Sequence, residues 1–413
     1  MDSTVEIRPY RPSEDFEACR RVWTESGWVD GAKNEEAFRL FADSSNSVVG
    51  AVRGSAECFV NIHPGTLRYL ERDIPLACVT GVTTSRIVRR QGLAARATAL
   101  ALALEALAGT PVAAIGVFEQ GFYNRLGFGN GPYEVWCTFD PAQLMVHRSP
   151  RVPVRLAAAD WEAVHASRLR RCRWHGAATI LPGELTRAEM LWDEKAFGLG
   201  YRNDAGDLTH HIWCSTEKPR RGPYTVEWMA FRTREEFHEL IALIHSLADQ
   251  IHSIEIHEPP GLQLQDLLRQ PFKGRRMTEA SPHVQRMSSS AYWQLRILDL
   301  VQALAATRLP NGPLRFNLEL TDPIATALPP DSRWRGVAGS YVVTLGPESG
   351  AEVGADPTFD TVRASVNAFS RAWLGVRSAT ALSWTDDLDA PPELLRSLDG
   401  VLSLPTPACD WDY

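Results

Sequence analysis

A glycine turn flanked by arginines, Arg89-x-x-Gly92-x-Ala94, follows an apolar stretch that ends in Val82-Thr83-Thr84. Glycine lets the backbone turn sharply at a helix start, where free amides and the positive end of the helix dipole attract an anion. Arg86, Arg89, Arg90 and Arg96 add positive charge around that turn, in a chain whose formal net charge is -7. The chemistry on offer is pyrophosphate binding. A plainer reading stays open on the residues alone, a tight turn with solvated arginines, because short glycine motifs recur widely. Further along, Phe122-Tyr123-Asn124-Arg125-Leu126-Gly127-Phe128 follows a second apolar stretch. Its phenol, with a reference pKa of about 10, stays protonated at neutral pH and can donate a proton. A core tyrosine capping a backbone group is the alternative.

Both motifs need rigid elements behind them. Leu76 to Thr84 predicts a buried strand, Gly92 to Ala108 a helix, and Val112 to Val117 a second buried strand. A strand, a helix and a parallel strand make a crossover unit, so the first segment reads as α/β. Ahead of it, Val5-Glu6-Ile7 predicts a strand and Phe16, Cys19, Val22 and Trp23 a helix with Ser13 as N-cap. A proline-bearing linker at Pro150-Arg151-Val152-Pro153 opens a second segment. There Tyr224 to Phe231 predicts a strand, and Thr233-Arg234-Glu235-Glu236 a capping box. The helix it opens buries Phe237, Leu240, Ile241 and Ile244, and Ile251 to Ile256 is a further strand. The order echoes the first segment. After Ser288-Ser289-Ser290, Tyr292 to Ala306 predicts a helix, and alternating Leu314, Phe316, Leu318 and Leu320 a strand. Tyr341 to Leu345 is another strand, and Val362, Val366, Phe369 and Trp373 line a helix ended by Gly375. That third segment reads as α+β. The expected domains are 1–148, 149–287 and 288–413.

Composition closes off other classes. Hydrophobic residues at 44% and charged residues at 23% describe a globular chain. The excess of 50 acidic over 43 basic residues argues against a nucleic-acid partner. Seven cysteines without a CxxC pair suggest neither a disulfide framework nor a cysteine metal site, and fit a reducing cytoplasm. Ala94 to Ala108, the most apolar stretch, carries Arg96 and Glu105 and is too short to span a bilayer. A soluble, cytoplasmic protein without a membrane partner is expected.

Together the two motifs resemble those of the GNAT family of acetyl-CoA-dependent N-acetyltransferases. The whole length is similar to the Eis (enhanced intracellular survival) group of that family. Tyr292 to Asp299, Leu314 to Asp322 and the closing Cys409-Asp410-Trp411-Asp412-Tyr413 carry the likeness beyond the first segment. The resemblance implies tandem GNAT folds, one active and one degenerate, plus a C-terminal sterol-carrier-like α+β domain. It implies acetyl-CoA as co-substrate, no metal, a small-molecule amine as acceptor (aminoglycoside- or polyamine-like) and a homohexamer. By the same resemblance, Val82, Thr83 and Thr84 line the acetyl and pantetheine arm, with one backbone amide polarising the thioester. Arg89, Arg90, Gln91, Gly92, Leu93, Ala94 and Ala95 hold the pyrophosphate, and Phe118 and Glu119 border the cofactor, where many of the group have Ser-Glu. Tyr123 is the implied general acid, and the free carboxylate of Tyr413, where many relatives end on phenylalanine, the implied general base. Trp23, Trp28 and Asp30 lie in the helical region that borders the acceptor in GNAT folds. With Glu25, Asp410 and Asp412 they form a candidate acidic, aromatic pocket for a cationic amine.

Other groups are set aside. His210-His211 and the series His238, His245, His252 lack ligand spacing with a carboxylate, so a solvated helix face is expected for the series. Arg168 to Arg173 is read as a solvated face or as salt bridges between domains. Thr233-Arg234-Glu235-Glu236 places acids where a phosphate would sit, so the second segment is read as structural. Two rivals remain: acetylation of a protein lysine, and a non-catalytic sensor of acetyl-CoA or lipid.

Overall fold

The computed structural model describes residues 5–30, 34–117, 121–147, 149–220, 222–270, 272 and 284–411. The chain begins with strand β1 (Val5–Pro9) and helices α1 (Pro12–Glu25) and α2 (Glu35–Asp43). Strands β2 (Val48–Val52), β3 (Ser55–Tyr69) and β4 (Arg72–Thr84) then form an antiparallel meander. Helix α3 (Leu93–Leu107) crosses to β5 (Val112–Gly116), which pairs with β4 in parallel, as the crossover reading requires. Alanine, the best helix former, makes up much of α3, and its small side chains let the helix lie close on the sheet. Ala97, Ala101 and Leu102 pack there against Val60, Ile62, Ala77 and Ile115.

The α1 start differs from expectation. Its N-cap position is Arg11, and the Asp15 carboxylate takes the Arg11 amide at 2.8 Å. The same carboxylate pairs with the Arg8 guanidinium at 2.6 Å, inside the fold. Burial raises the Asp15 pKa, but the bonds from Arg8 and Arg11 outweigh it and hold the group below the usual carboxylate range.

Beyond β5 come β6 (Gly129–Asn130) and β7 (Glu134–Phe139). Residues Trp293–Ile297 form a strand between β5 and β6, where a helix over Tyr292 to Ala306 was expected. All five residues of that strand are buried, and the helix is confined to Leu300–Ala306, capped by the Asp299 side chain. A short apolar run fits either element, and the open edge of β5 decides between them.

A second sheet runs in the order Arg286–Ser290, β7, Ile254–His257, Tyr224–Ala230, Leu208–Ser215, Phe197–Arg202, Val154–Leu156. Tyr224–Ala230 and Ile254–His257 are parallel and joined through the helix Arg234–Ser246. A third sheet has the order Gly350–Val353, Gly339–Leu345, Leu314–Thr321, Thr361–Ser365, Leu388–Asp389. Val362 lies on its fourth strand, and only Val366, Phe369 and Trp373 of the expected stripe fall on the following helix, Val366–Trp373.

The architecture is thus a mixed α/β one. Its contacts form two compact units, one from the spans 1–132, 175–182 and 291–413, the other from 133–174 and 183–290. Strands do not stay within contiguous spans: β7 joins the second sheet, while Ala178–Ile180 pairs with β3 and Trp293–Ile297 with β5. No described helix is long and apolar enough to cross a membrane. All seven cysteines are free, and six are buried.

Candidate active site

The site begins where β4 leaves β5. Their parallel pairing runs from Leu76 with Val112 to Val79 with Ile115. There Thr80 is an extra residue against β3, since Ile62 faces Val79 while Asn61 faces Gly81. Such a bulge bends its strand. Val82, Thr83 and Thr84 stay on β3, so among the described residues their opposite backbone edge faces a gap rather than β5.

His63 anchors the bulge. Its Nδ1 lies 2.8 Å from the Thr80 hydroxyl, and its Nε2 is 3.1 Å from the Phe41 carbonyl. A carbonyl only accepts, so Nε2 carries the proton and Thr80 donates to Nδ1. Burial pushes the His63 pKa down to about 4. The ring is neutral at physiological pH.

After β4 the backbone turns through Arg86–Val88 to the start of α3. Arg90 has φ +61° and Gly92 φ +74°, both left-handed. A Cβ on Gly92 would meet nothing within 4 Å, so the backbone angle, not space, is what calls for glycine. Among the described residues no side chain caps α3, and its first helical bond runs from the Arg96 amide to the Gly92 carbonyl at 3.1 Å. The amides of Leu93, Ala94 and Ala95 precede that bond and sit at the positive end of the dipole. Arg89 and Arg90 stand exposed beside them with no ion pair among the described residues.

Strand end, turn and helix start line one cavity of about 660 Å3. Val82, Thr83 and Thr84 form one side, and Arg89, Arg90, Gln91, Gly92, Leu93, Ala94 and Ala95 another. Tyr123 and Phe122 also line it, their rings edge to face at 4.8 Å. Tyr123 opens a short 3-10 turn, Tyr123–Leu126, and is half-buried. At the mouth, the Glu25 carboxylate accepts the Arg86 amide at 3.0 Å, and the Arg86 guanidinium donates to the Glu25 carbonyl at 2.9 Å. Ser26 and Val88 also line the cavity, and no motif marked them.

Of the acceptor candidates, Trp28 lines the cavity. Trp23 does not: it is 2% exposed and packs against Phe38 and Phe41 at 5.0 and 4.9 Å, with Trp28 edge-on at 5.1 Å. Helical spacing put Trp23 on the buried face of α1, and the aromatic core takes it. Asp30 is exposed and is not among the lining residues; its backbone amide donates to Asn34 Oδ1 at 3.2 Å. Phe118, Glu119, Asp412 and Tyr413 lie outside the described residues. The chain just before them is anchored, with Trp411 buried and the Ala408 amide bonded to the His175 carbonyl at 3.0 Å.

A pyrophosphate-bearing thioester fits this arrangement. The helix start offers unengaged amides and two unpaired cations to the phosphates. The open β4 edge offers backbone groups to an amide-bearing arm. Two buried hydroxyls nearby, Thr83 Oγ1 and Ser85 Oγ, have no hydrogen-bond partner among the described residues. Such groups are rarely left so without a reason.

Most of the groups set aside earlier are buried or half-buried. No described cluster of His, Cys, Asp or Glu could hold a metal. His210 and His211 are buried, His210 Nε2 lying 3.2 Å from Glu239 and His211 Nδ1 3.1 Å from Ser167. His252 is exposed, but His238 and His245 are half-buried, so the seven-residue series is not one solvated face. Arg168 is buried too, paired with Glu189 and stacked 4.3 Å over Trp228. Arg171, also buried, donates to the Arg168 carbonyl at 2.9 Å. Within the basic run, Arg168 and Arg171 are therefore not on a solvated face, whereas Arg170 is exposed.

No model of a known protein family matches the chain. Its sequence is 25% identical over 342 residues to an uncharacterized N-acetyltransferase of Streptomyces avermitilis, spanning 75% of this chain and 74% of that one. A probable N-acyltransferase from Enterococcus faecalis V583 shares the fold with a TM-score of 0.81 and 18% identity, over 100% of both chains. Eis1 from Mycobacterium abscessus does so with a TM-score of 0.75 and 18% identity, over 99% of this chain and 100% of that one. The first two are named as transferases of the class expected from the glycine turn and the Tyr123 motif. The chain has the GNAT N-acetyltransferase fold.

Proposed function

We propose that the protein transfers an acetyl group from acetyl-CoA to a primary amine of a small cationic acceptor, aminoglycoside- or polyamine-like. The observation that carries this reading is a convergence on one cavity. The open end of β4, the uncapped start of α3 with Arg89 and Arg90, and the Tyr123 side chain all line it. The α3 amides and the two arginines hold the pyrophosphate. A backbone amide among Val82, Thr83 and Thr84 donates to the thioester oxygen and stabilises its developing charge. The acceptor nitrogen attacks the carbonyl carbon, the carbon–sulfur bond breaks, and the Tyr123 hydroxyl protonates the departing thiolate. Glu25 and Trp28 at the mouth suit a cationic acceptor. Removal of the amine proton by the carboxylate of Tyr413, the homohexamer and the sterol-carrier-like character of the C-terminal module complete the proposal on resemblance.

Thiol release from acetyl-CoA, measured against a panel of polyamines and aminoglycosides, tests it. Amine-dependent release is expected, with Tyr123→Phe lowering kcat by about 10²- to 10⁴-fold and leaving acetyl-CoA binding in place. Two residues added after Tyr413 should abolish turnover without loss of binding. Acetyl-CoA binding with no release on any amine would favour the sensor.

A further inference from the structure

The turn that carries Tyr123 is held by residues far along the chain. A single 3-10 turn has little stability of its own. Its internal bonds run from the Arg125 amide to the Phe122 carbonyl at 3.3 Å, from the Gly127 amide to the Asn124 carbonyl at 3.1 Å, from the Phe128 amide to the Tyr123 carbonyl at 3.2 Å and from Asn124 Nδ2 to the Phe128 carbonyl at 2.9 Å. Further bonds come from the strand Trp293–Ile297 and the helix Val366–Trp373. Arg296, fully buried and paired with Asp322 at 2.7 Å, donates to the Leu126 carbonyl. Gln294 donates to Asn124 Oδ1 at 3.3 Å and to Asn130 Oδ1 at 2.6 Å. Asn367 Nδ2 donates to the Asn124 carbonyl at 2.9 Å and to the Phe128 carbonyl at 2.7 Å.

Asn367 therefore clamps both ends of the turn with one amide group. Gly127 shows how close the support comes: at φ +85°, a Cβ there would lie 2.6 Å from Arg296 Nη1 and 2.8 Å from Val366. We propose that Asn367 is a positioning residue, by which the C-terminal segment sets the seat of the Tyr123 turn and so the place of its hydroxyl at the thioester. This rests on the reading of Tyr123 as proton donor. Misplacement of a reacting group by about 1 Å costs on the order of 10²-fold in rate, so a clamp of this kind is felt in kcat.

Asn367→Asp keeps the shape but aims an acceptor at two carbonyls. Its kcat should fall about tenfold to a hundredfold, with KM for acetyl-CoA within about twofold of the parent. Asn367→Ser, which retains a donor, should fall less. In a Tyr123→Phe background, Asn367→Asp should cause no further fall, because the group it positions is gone. Parental kcat in Asn367→Asp, or an equal further fall in the Tyr123→Phe background, overturns the proposal. Hydrogen exchange reads the seat without chemistry: the Gly127 and Phe128 amides should exchange faster in the variants, and the α3 amides should not. Unchanged exchange at the turn also overturns it. If Asn367→Asp loses α3 protection as well, the protein has unfolded and Asn367→Ser is the variant to read. Parental kcat in Tyr123→Phe alone would remove the acid assignment, and the exchange result would then decide the seating by itself.

Discussion

Two residues, one lining the cavity and one under the β4 bulge, are held away from their ordinary state. Arg90 holds φ +61°, a conformation that costs a non-glycine residue roughly 1 kcal/mol and that gathers at ligand sites. His63 is buried under the β4 bulge with its pKa lowered to about 4. In the unfolded chain histidine titrates near 6.5. Above that value both states are neutral and pH has no effect through His63. As pH falls below it, the unfolded chain takes up a proton that the folded His63 refuses, so stability drops until pH nears 4. Denaturant titrations between pH 7 and 4.5 should show the parent losing stability relative to His63→Gln by roughly 1 kcal/mol per pH unit. Parallel curves for the two proteins would mean that His63 is not held neutral by the fold.

At the scale of elements, the two helix starts that follow a parallel-pairing strand differ. α3 opens on Gly92 with no side-chain cap. The helix Arg234–Ser246 is capped by its own residues: Thr233 accepts the Glu236 amide at 3.3 Å, and Glu236 accepts the Arg232 amide at 2.6 Å. The Glu236 carboxylate, reaching Arg232 rather than the Thr233 amide of a capping box, also pairs with the Arg232 guanidinium at 2.7 Å. One helix start is open to an anion and the other is filled. Gly92→Asp puts a carboxylate at the open one. Aspartate tolerates positive φ and favours a helix start, so folding stability should stay within about 1 kcal/mol. Acetyl-CoA affinity by calorimetry should fall at least about tenfold through charge repulsion, and much less in Gly92→Asn. Equal losses in both would trace the effect to shape instead of charge.

At the scale of the molecule, the difference between the helix starts becomes a stoichiometry. Calorimetry on the full chain should find one acetyl-CoA per chain. Two would mean that the second segment binds despite Glu235 and Glu236. The exchange of strands between segments has a second consequence: the seat of Tyr123 is built by Gln294, Arg296 and Asn367, so the first segment is incomplete without the C-terminal one.

What the sequence determined by itself is local. The crossover of β4, α3 and β5, the glycine turn and the Tyr123 motif were legible because they depend on short-range periodicity, on one left-handed glycine and on neighbours in the chain. The alternation of Leu314, Phe316, Leu318 and Leu320 was legible for the same reason. The tertiary structure decided the rest. Trp293–Ile297 is a strand because β5 offers an edge, and no local pattern announces an edge 177 residues away. Trp23 and Trp28 both lie near the end of α1, yet only Trp28 meets the cavity, because the aromatic core claims the inner face. The bulge at Thr80, which opens the gap between β4 and β5, rests on a register set by β3 and on a bond from His63. Pairing, edges and burial are properties of distant segments meeting in space, and that is the physical reason most of the lining residues could be anticipated while the gap beside β4 and the seat of Tyr123 could not.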